Sequence, residues 1–263
     1  MAPSAPGASS DGARRAAASA ALVALVVGGQ LLALGELLGV RWPRPAVTLP
    51  LVMVIAPLAA AAWGARRAGP PYARGVRFAA PAWALWAGCY YAVAALTDPT
   101  RARVLEEGLA AHLAFVPAVA PVYLGVHPLS VLPFARATSD AGLRRVALGY
   151  AVIVAVSVVI WAAVPVSFPR ALAATGDGFG AWLLTSIRGS DPPVNCLPST
   201  HCAMAAHAAF RLRGDGRALG GWSALTALLI AGSTVLLRQH YVIDVVAGVA
   251  LGLGVAWGAE RWA

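Results

Sequence analysis

An all-α, polytopic membrane bundle of about eight transmembrane helices is the fold this sequence predicts, and three observations carry the prediction. Hydrophobic residues fill 59% of the 263 positions and charged residues only 12%, against about 25% charged in a soluble domain. Mean hydropathy is +0.71. The apolar residues come in repeated runs near the length of about 20 needed to cross a hydrocarbon core as a helix, and the basic residues fall between those runs.

Taken in order, residues 1–13 are rich in Ala, Ser, Gly and Pro and lack periodicity, so they read as a disordered tail. The run behind Arg14 and Arg15 continues to Val40. It is too long for a signal-peptide core and has no clear cleavage site, so it reads as a retained first span. Spans are predicted over 17–40, 46–65, 78–97, 108–133, 146–166, 197–212, 218–237 and 240–258. Pro117, Pro121, Pro128 and Pro133 interrupt the fourth, which is expected to be kinked or partly interfacial; without it the count is seven. Gly248 with Gly252, and Gly254 with Gly258, would let the last helix approach its neighbours closely.

The formal charge of +9 comes from 20 basic residues, all arginine, since the chain has no lysine. No nucleic-acid partner is expected, because these arginines sit in short connections and form no basic stripe interleaved with aromatics. With the N-terminus in the cytoplasm, the inner segments hold Arg14, Arg15, Arg66, Arg67, Arg74, Arg77, Arg136, Arg144, Arg145, Arg211, Arg213, Arg217 and Arg261. Seven arginines are left for the outer side, an asymmetry that follows the positive-inside rule. The expected protein is therefore a multi-pass component of the plasma membrane with both termini cytoplasmic, and with the segment 167–196 and the turn at Gln239 on the outer face. Three cysteines imply no disulfide framework.

Chemistry concentrates in two stretches. In RQHYVID, residues 238–244, His240 and Asp244 stand four apart at the start of the last span, on one helix face if that stretch is helical. A carboxylate there can hold one imidazole nitrogen and leave the other free to attack. The first turn of a helix also offers unpaired N–H groups to an anion. In NCLPSTHCAMA, residues 195–205, Pro198 suits the first turn of a helix that then carries Ser199, Thr200 and His201. The hairpin of 197–212 and 218–237 has the length to return His240 to the side of His201.

Other residues read as structural. His112, His127 and His207 are expected to be packed, hydrogen-bonded core residues; His207 points about 120° away from His201 on an ideal helix. A zinc site of His201, His240 and a cysteine has no familiar ligand spacing behind it. A Cys196–Cys202 disulfide is disfavoured by the turn and helix start between them. Glu36 reads as a polar residue near the outer end of the first span.

Pro198-Ser199-Thr200-His201, followed by Ser233-Thr234-VLLRQ-His240-YVI-Asp244, resembles the motif pair of the type 2 phosphatidic acid phosphatase superfamily, membrane enzymes acting on lipid phosphates. The resemblance covers roughly 78–258. It implies a six-helix catalytic core over 78–263, preceded at 14–77 by two additional helices. It also implies roles: His240 as the nucleophile that forms a phosphohistidine, Asp244 as its orienting carboxylate, and His201 as the acid for the leaving alkoxide. Arg170, Ser199, Thr200, Thr234 and Arg238 are the implied phosphate contacts, and no metal or cofactor is expected. Two departures stand out. Thr234 occupies the place of an arginine, and a lysine-free chain cannot supply the first motif's K-x6-R-P; Arg170 is the best substitute for that motif's arginine, with Arg238 and Arg188 compensating for the rest. The S-T-x5-H form with QHY is closest to inositol phosphorylceramide synthases and sphingomyelin synthases. Hydrolysis of a lipid phosphate monoester or diphosphate at the outer face is the expected function. Transfer of a phosphoryl headgroup to an alcohol is the first alternative, and a non-catalytic scaffold or lipid carrier the second.

Overall fold

The computed structural model describes residues 8–41, 70–106, 108, 112–170 and 173–261. Its helices are α1 (Ala8–Leu37), α2 (Pro70–Leu96), α3 (Ala120–Leu124), α4 (Val126–Arg136), α5 (Asp140–Ala163), α6 (Phe179–Ser190), α7 (Thr200–Leu212), α8 (Arg217–Leu236) and α9 (Val242–Ala259). A two-residue parallel pair, β1 (Arg103–Val104) with β2 (Val166–Ser167), joins two connections. Among the described residues six helical segments are long and apolar enough to cross a membrane: Ser19–Leu37, Arg77–Leu96, Pro117–Arg136, Asp140–Ala163, Arg217–Leu236 and Val242–Ala259. Large apolar side chains such as Leu228 (70% exposed) and Trp257 (56%) stand on the outside of this bundle, a surface suited to lipid and costly in water. The protein is an all-α membrane bundle.

Two expectations need correction. Residues 8–13, read as tail, are the start of α1, because the alanine-rich stretch that follows is the strongest of helix formers and carries the helix back past Arg14; residues 1–7 and the expected span 46–65 lie outside the described residues. The expected span 197–212 is only the 13-residue α7, about 20 Å long at 1.5 Å per residue, against a core of about 30 Å. Pro198 is not in its first turn: Ser199 is the N-cap, extended in backbone, and its Oγ accepts from the Cys202 N–H at 3.4 Å. A turn through Gly216, at φ +101°, ends the hairpin on the other side. Instead of spanning, α7 is enclosed by α4, α5, α8 and α9. The segment 167–196 contains α6, a helix too short for a span, whose Phe179, Leu183 and Ile187 are buried along one stripe.

The interrupted fourth span is broken as its prolines require, at Pro117–Val119 and again at Gly125 between α3 and α4. Being almost wholly buried, it is central to the bundle. α1 packs on α3 and α4, its Gln30 donates to Thr226 of α8 at 3.2 Å, and Glu36 Oε2 accepts from the Gly180 N–H at 2.7 Å. Glu36 thus answers one of the unpaired amides in the first turn of α6.

α7 and α9 form the closest helix pair. Lipid tails are as apolar as leucine, so helices in a membrane associate through close van der Waals contact where small residues permit it. A Cβ on Gly248 would collide with the Ser199 carbonyl oxygen, and one on Gly252 with that of Ala203. The second glycine pair does not behave alike, since Gly254 faces open space. Gly248→Ala is therefore expected to lower stability by about 1–3 kcal/mol through overpacking, while Gly254→Ala is neutral or gains up to about 1 kcal/mol in helix propensity. Thermal unfolding of both variants in detergent reads the difference, and equal melting temperatures would show that the close approach is unimportant.

Candidate active site

The chain between α8 and α9 turns sharply at Arg238, which has φ +53°. The Gln239 and His240 N–H groups both donate to the Thr234 carbonyl, at 2.9 and 3.3 Å, which ties the turn to the end of α8. Tyr241 is the N-cap of α9, so His240 precedes the helix and does not sit in its first turn. Asp244, the third residue of α9, reaches back so that Oδ2 accepts from the Tyr241 N–H at 2.9 Å. The same oxygen lies 3.4 Å from His240 Nδ1, within ion-pair reach but without hydrogen-bond alignment. Carboxylate and imidazole are thus brought together by capping, where helical spacing had been expected to do it.

His201 enters as the second residue of α7. Its ring stacks on Tyr123 at 4.3 Å between centroids, with Nδ1 3.3 Å from the Tyr123 hydroxyl. The centroids of His201 and His240 are 6.3 Å apart, and the Ser199 N–H donates to the Asp244 carbonyl at 3.1 Å. The two stretches singled out from sequence therefore meet at one end of the bundle.

The basic residues converge on the turn itself. The side chain of Arg170 is 6% exposed and donates through Nη2 to the carbonyl and Oδ2 of Asp191, both at 3.0 Å, and through Nη1 to the Gln239 carbonyl at 3.4 Å. Asp191 in turn accepts from the Tyr90 hydroxyl at 2.5 Å. Arg188 Nη2 donates to the Leu237 carbonyl at 3.0 Å. Burial, then the charge of Arg170, brings the Arg188 guanidinium down to about 10, still a cation at neutral pH. Both arginines hold carbonyls of the segment that presents His240.

The remaining expected contacts are placed differently. Ser199 Oγ is used as the α7 cap, and Thr200 Oγ1 accepts from Trp86 Nε1 at 3.3 Å; as hydroxyls, both keep a proton to donate. Thr234 contributes its carbonyl to the turn, while its Oγ1 donates to the Ala231 carbonyl at 2.7 Å and lies 3.9 Å from Cys202 Sγ. A hydroxyl near a helix end finds its own previous turn readily. Arg238 is directed to the Leu113 carbonyl, at 3.2 Å.

A cavity of about 270 Å³ opens beside His201, lined by Trp83, Trp86, Tyr90, Tyr123, His127 and Asp191 among others. The sequence reading missed these residues. On α2 the spacing Trp83, Trp86, Tyr90 marks one helical face, and His127 follows Tyr123 by four residues, a signal that was available. His127 is a cavity residue whose centroid lies 6.0 Å from that of His201. His207 fits the structural reading in part: it is fully buried against Tyr150, in space left by the absent Cβ of Gly149, but neither ring nitrogen has a hydrogen-bond partner among the described residues. His112 is exposed, not a core residue.

All three cysteines are free thiols. Burial first, then the charge of Asp244, pushes the Cys196 thiol up. Its Sγ, one nitrogen of His240 and one oxygen of Asp244 all lie within 4.8 Å of one another. This trio differs from the zinc set weighed from sequence in having Asp244 where His201 had been considered.

The model of one protein family, the PAP2 superfamily, matches residues 100–258. No curated protein and no solved structure gives a match. The matched stretch holds both histidines, Asp244 and Arg170, and it covers more than half of the chain. The chain belongs to the PAP2, or type 2 phosphatidic acid phosphatase, superfamily.

Proposed function

We propose that this protein, which membership of the superfamily marks as having phosphatase-type activity, hydrolyses the phosphate monoester or diphosphate of a lipid at the outer face of the plasma membrane, by way of a phosphohistidine on His240. The observation that carries the reading is the pairing of two imidazoles whose surroundings differ: His240 beside a fully buried carboxylate, His201 beside a phenol and an apolar cavity.

In the proposed reaction, His240 Nε2 attacks phosphorus while Asp244 holds the Nδ1 proton, and the bond from phosphorus to the leaving oxygen breaks. His201 gives a proton to that oxygen, so the lipid alcohol departs neutral. Water then attacks the phosphohistidine, His201 takes its proton back, and inorganic phosphate leaves with His240 restored. The phosphoryl oxygens need positive charge and N–H donors fixed in advance. Arg170 is suited to this, since its contacts to Asp191 and Gln239 use three of five guanidinium donors among the described residues. The cavity supports a lipid leaving group: Tyr90 and Trp86 have their polar edges engaged with Asp191 and Thr200, so ring faces make up much of the wall. The arginine asymmetry supports the outer face and cytoplasmic termini.

Purified protein in detergent with a chelator is expected to release inorganic phosphate from at least one of phosphatidic acid, lysophosphatidic acid and polyprenyl diphosphate. His240→Ala should abolish release while the protein still folds, and comparable activity in that variant would sink the mechanism. Transfer of label to an added lipid alcohol, with no free phosphate, would identify the headgroup transferase instead. Arg170→Ala removes charge-assisted contacts worth about 1.5–3 kcal/mol each, so kcat/KM should fall roughly 10- to 100-fold. Unchanged kinetics would mean that another cation carries the phosphoryl charge.

A further inference from the structure

We infer that Cys196, His240 and Asp244 form a binding site for a thiophilic divalent cation of the zinc type, and that filling it silences His240. One sulfur, one imidazole nitrogen and one carboxylate oxygen within 4.8 Å of one another are a donor set that zinc takes. Tetrahedral ligands bonded at about 2.0–2.3 Å stand about 3.5 Å apart, so side-chain shifts of about 1 Å close the site.

A second observation points to a ligand. Among the described residues His240 Nδ1 and Asp244 Oδ1 have no hydrogen-bond partner, although His240 is 7% exposed and Asp244 is 0% exposed. Polar atoms so deeply buried are normally satisfied, and a cation at this point, beside the Oδ2 that faces Nδ1, would satisfy the imidazole nitrogen. The charges also balance, since a thiolate and a carboxylate cancel two positive charges in surroundings where a residual charge is costly. Asp191 already pairs Arg170, at 3.0 Å. The Gln239 carbonyl, 3.9 Å from Cys196 Sγ, or a water molecule can complete the coordination.

Binding forms a metal–sulfur bond, and the thiol proton of Cys196 passes to water. Nδ1, the nitrogen facing Asp244, becomes the imidazole ligand through its lone pair, and the ring proton moves to Nε2. An imidazole protonated at Nε2 has no lone pair there with which to attack phosphorus. The cation is therefore an inhibitor and not a cofactor. Binding rests on the geometry alone, whereas silencing also rests on the proposed role of His240, so the two are measured separately.

The test uses the full-length protein in detergent with any histidine tag removed. Titration with Co2+ should give a thiolate-to-cobalt charge-transfer band saturating at one equivalent and displaced by Zn2+. The band should persist in Cys89→Ser and Cys202→Ser and be lost in Cys196→Ser. Zinc-edge X-ray absorption of the wild-type protein, which needs no variant, should show one sulfur ligand at about 2.3 Å. No band in the wild-type protein, a band that survives Cys196→Ser, or a shell of nitrogen and oxygen alone would overturn the site. Phosphate release should be inhibited by Zn2+ and restored by chelator, with Cys196→Ser roughly tenfold or more less sensitive. Tight cobalt binding together with undiminished turnover would keep the site and overturn the silencing.

Discussion

A carboxylate withdrawn completely from solvent must be answered by hydrogen bonds and nearby polar hydrogens, and Asp244 meets that requirement at the start of α9 while its main-chain carbonyl reaches the start of α7. Its Oδ2 caps the start of α9 through the Tyr241 N–H and faces His240, and its carbonyl accepts from Ser199, the cap of α7. The two helix starts that present the histidines are therefore joined at one residue. Gly248, four residues further along α9, presses the same pair together by leaving no side chain between α9 and the Ser199 carbonyl. Backbone contact and buried charge support each other, and the relative placement of the two imidazoles follows from both.

A second frame is built from arginine. Arg170 and Arg188 each donate to a carbonyl of the 237–239 segment, so the turn that presents His240 is held from the side by two cations. Two guanidinium groups so close repel, and Asp191 offsets this by pairing with Arg170 while it accepts from Tyr90. The arrangement leaves positive charge beside the site without stranding it in an apolar interior. Lysine could not do this as well, since the planar guanidinium can grip several carbonyl and carboxylate oxygens in fixed directions.

Much of this could be seen in the sequence. The apolar runs located the long helices, and the two motifs located the histidines, because both signals are local and strong. What escaped detection was non-local or short. Pairing of Asp244 with His240 was visible, but its cause was not, since whether His240 lies in the helix or before it depends on which residue becomes the cap. The 13 residues of α7 looked like a span because its apolar composition does not reveal that helices surround it on every side. α6 fell below any span-length window. Tyr90, Asp191 and Arg170 are far apart in the chain and carry no shared motif, so only the fold brings them together. His127 is buried, as its reading as core has it, and its further meaning came from the neighbour it acquired in the fold.

α2 ends at Leu96, ahead of the stretch matched by the superfamily at 100–258, yet it supplies Trp83 and Tyr91 to the cavity beside His201. One wall of that cavity is thus mounted outside the matched stretch, while Tyr123, His127 and His201 line it from within. Substitutions on α2 can therefore reshape the wall without altering the residues of either motif.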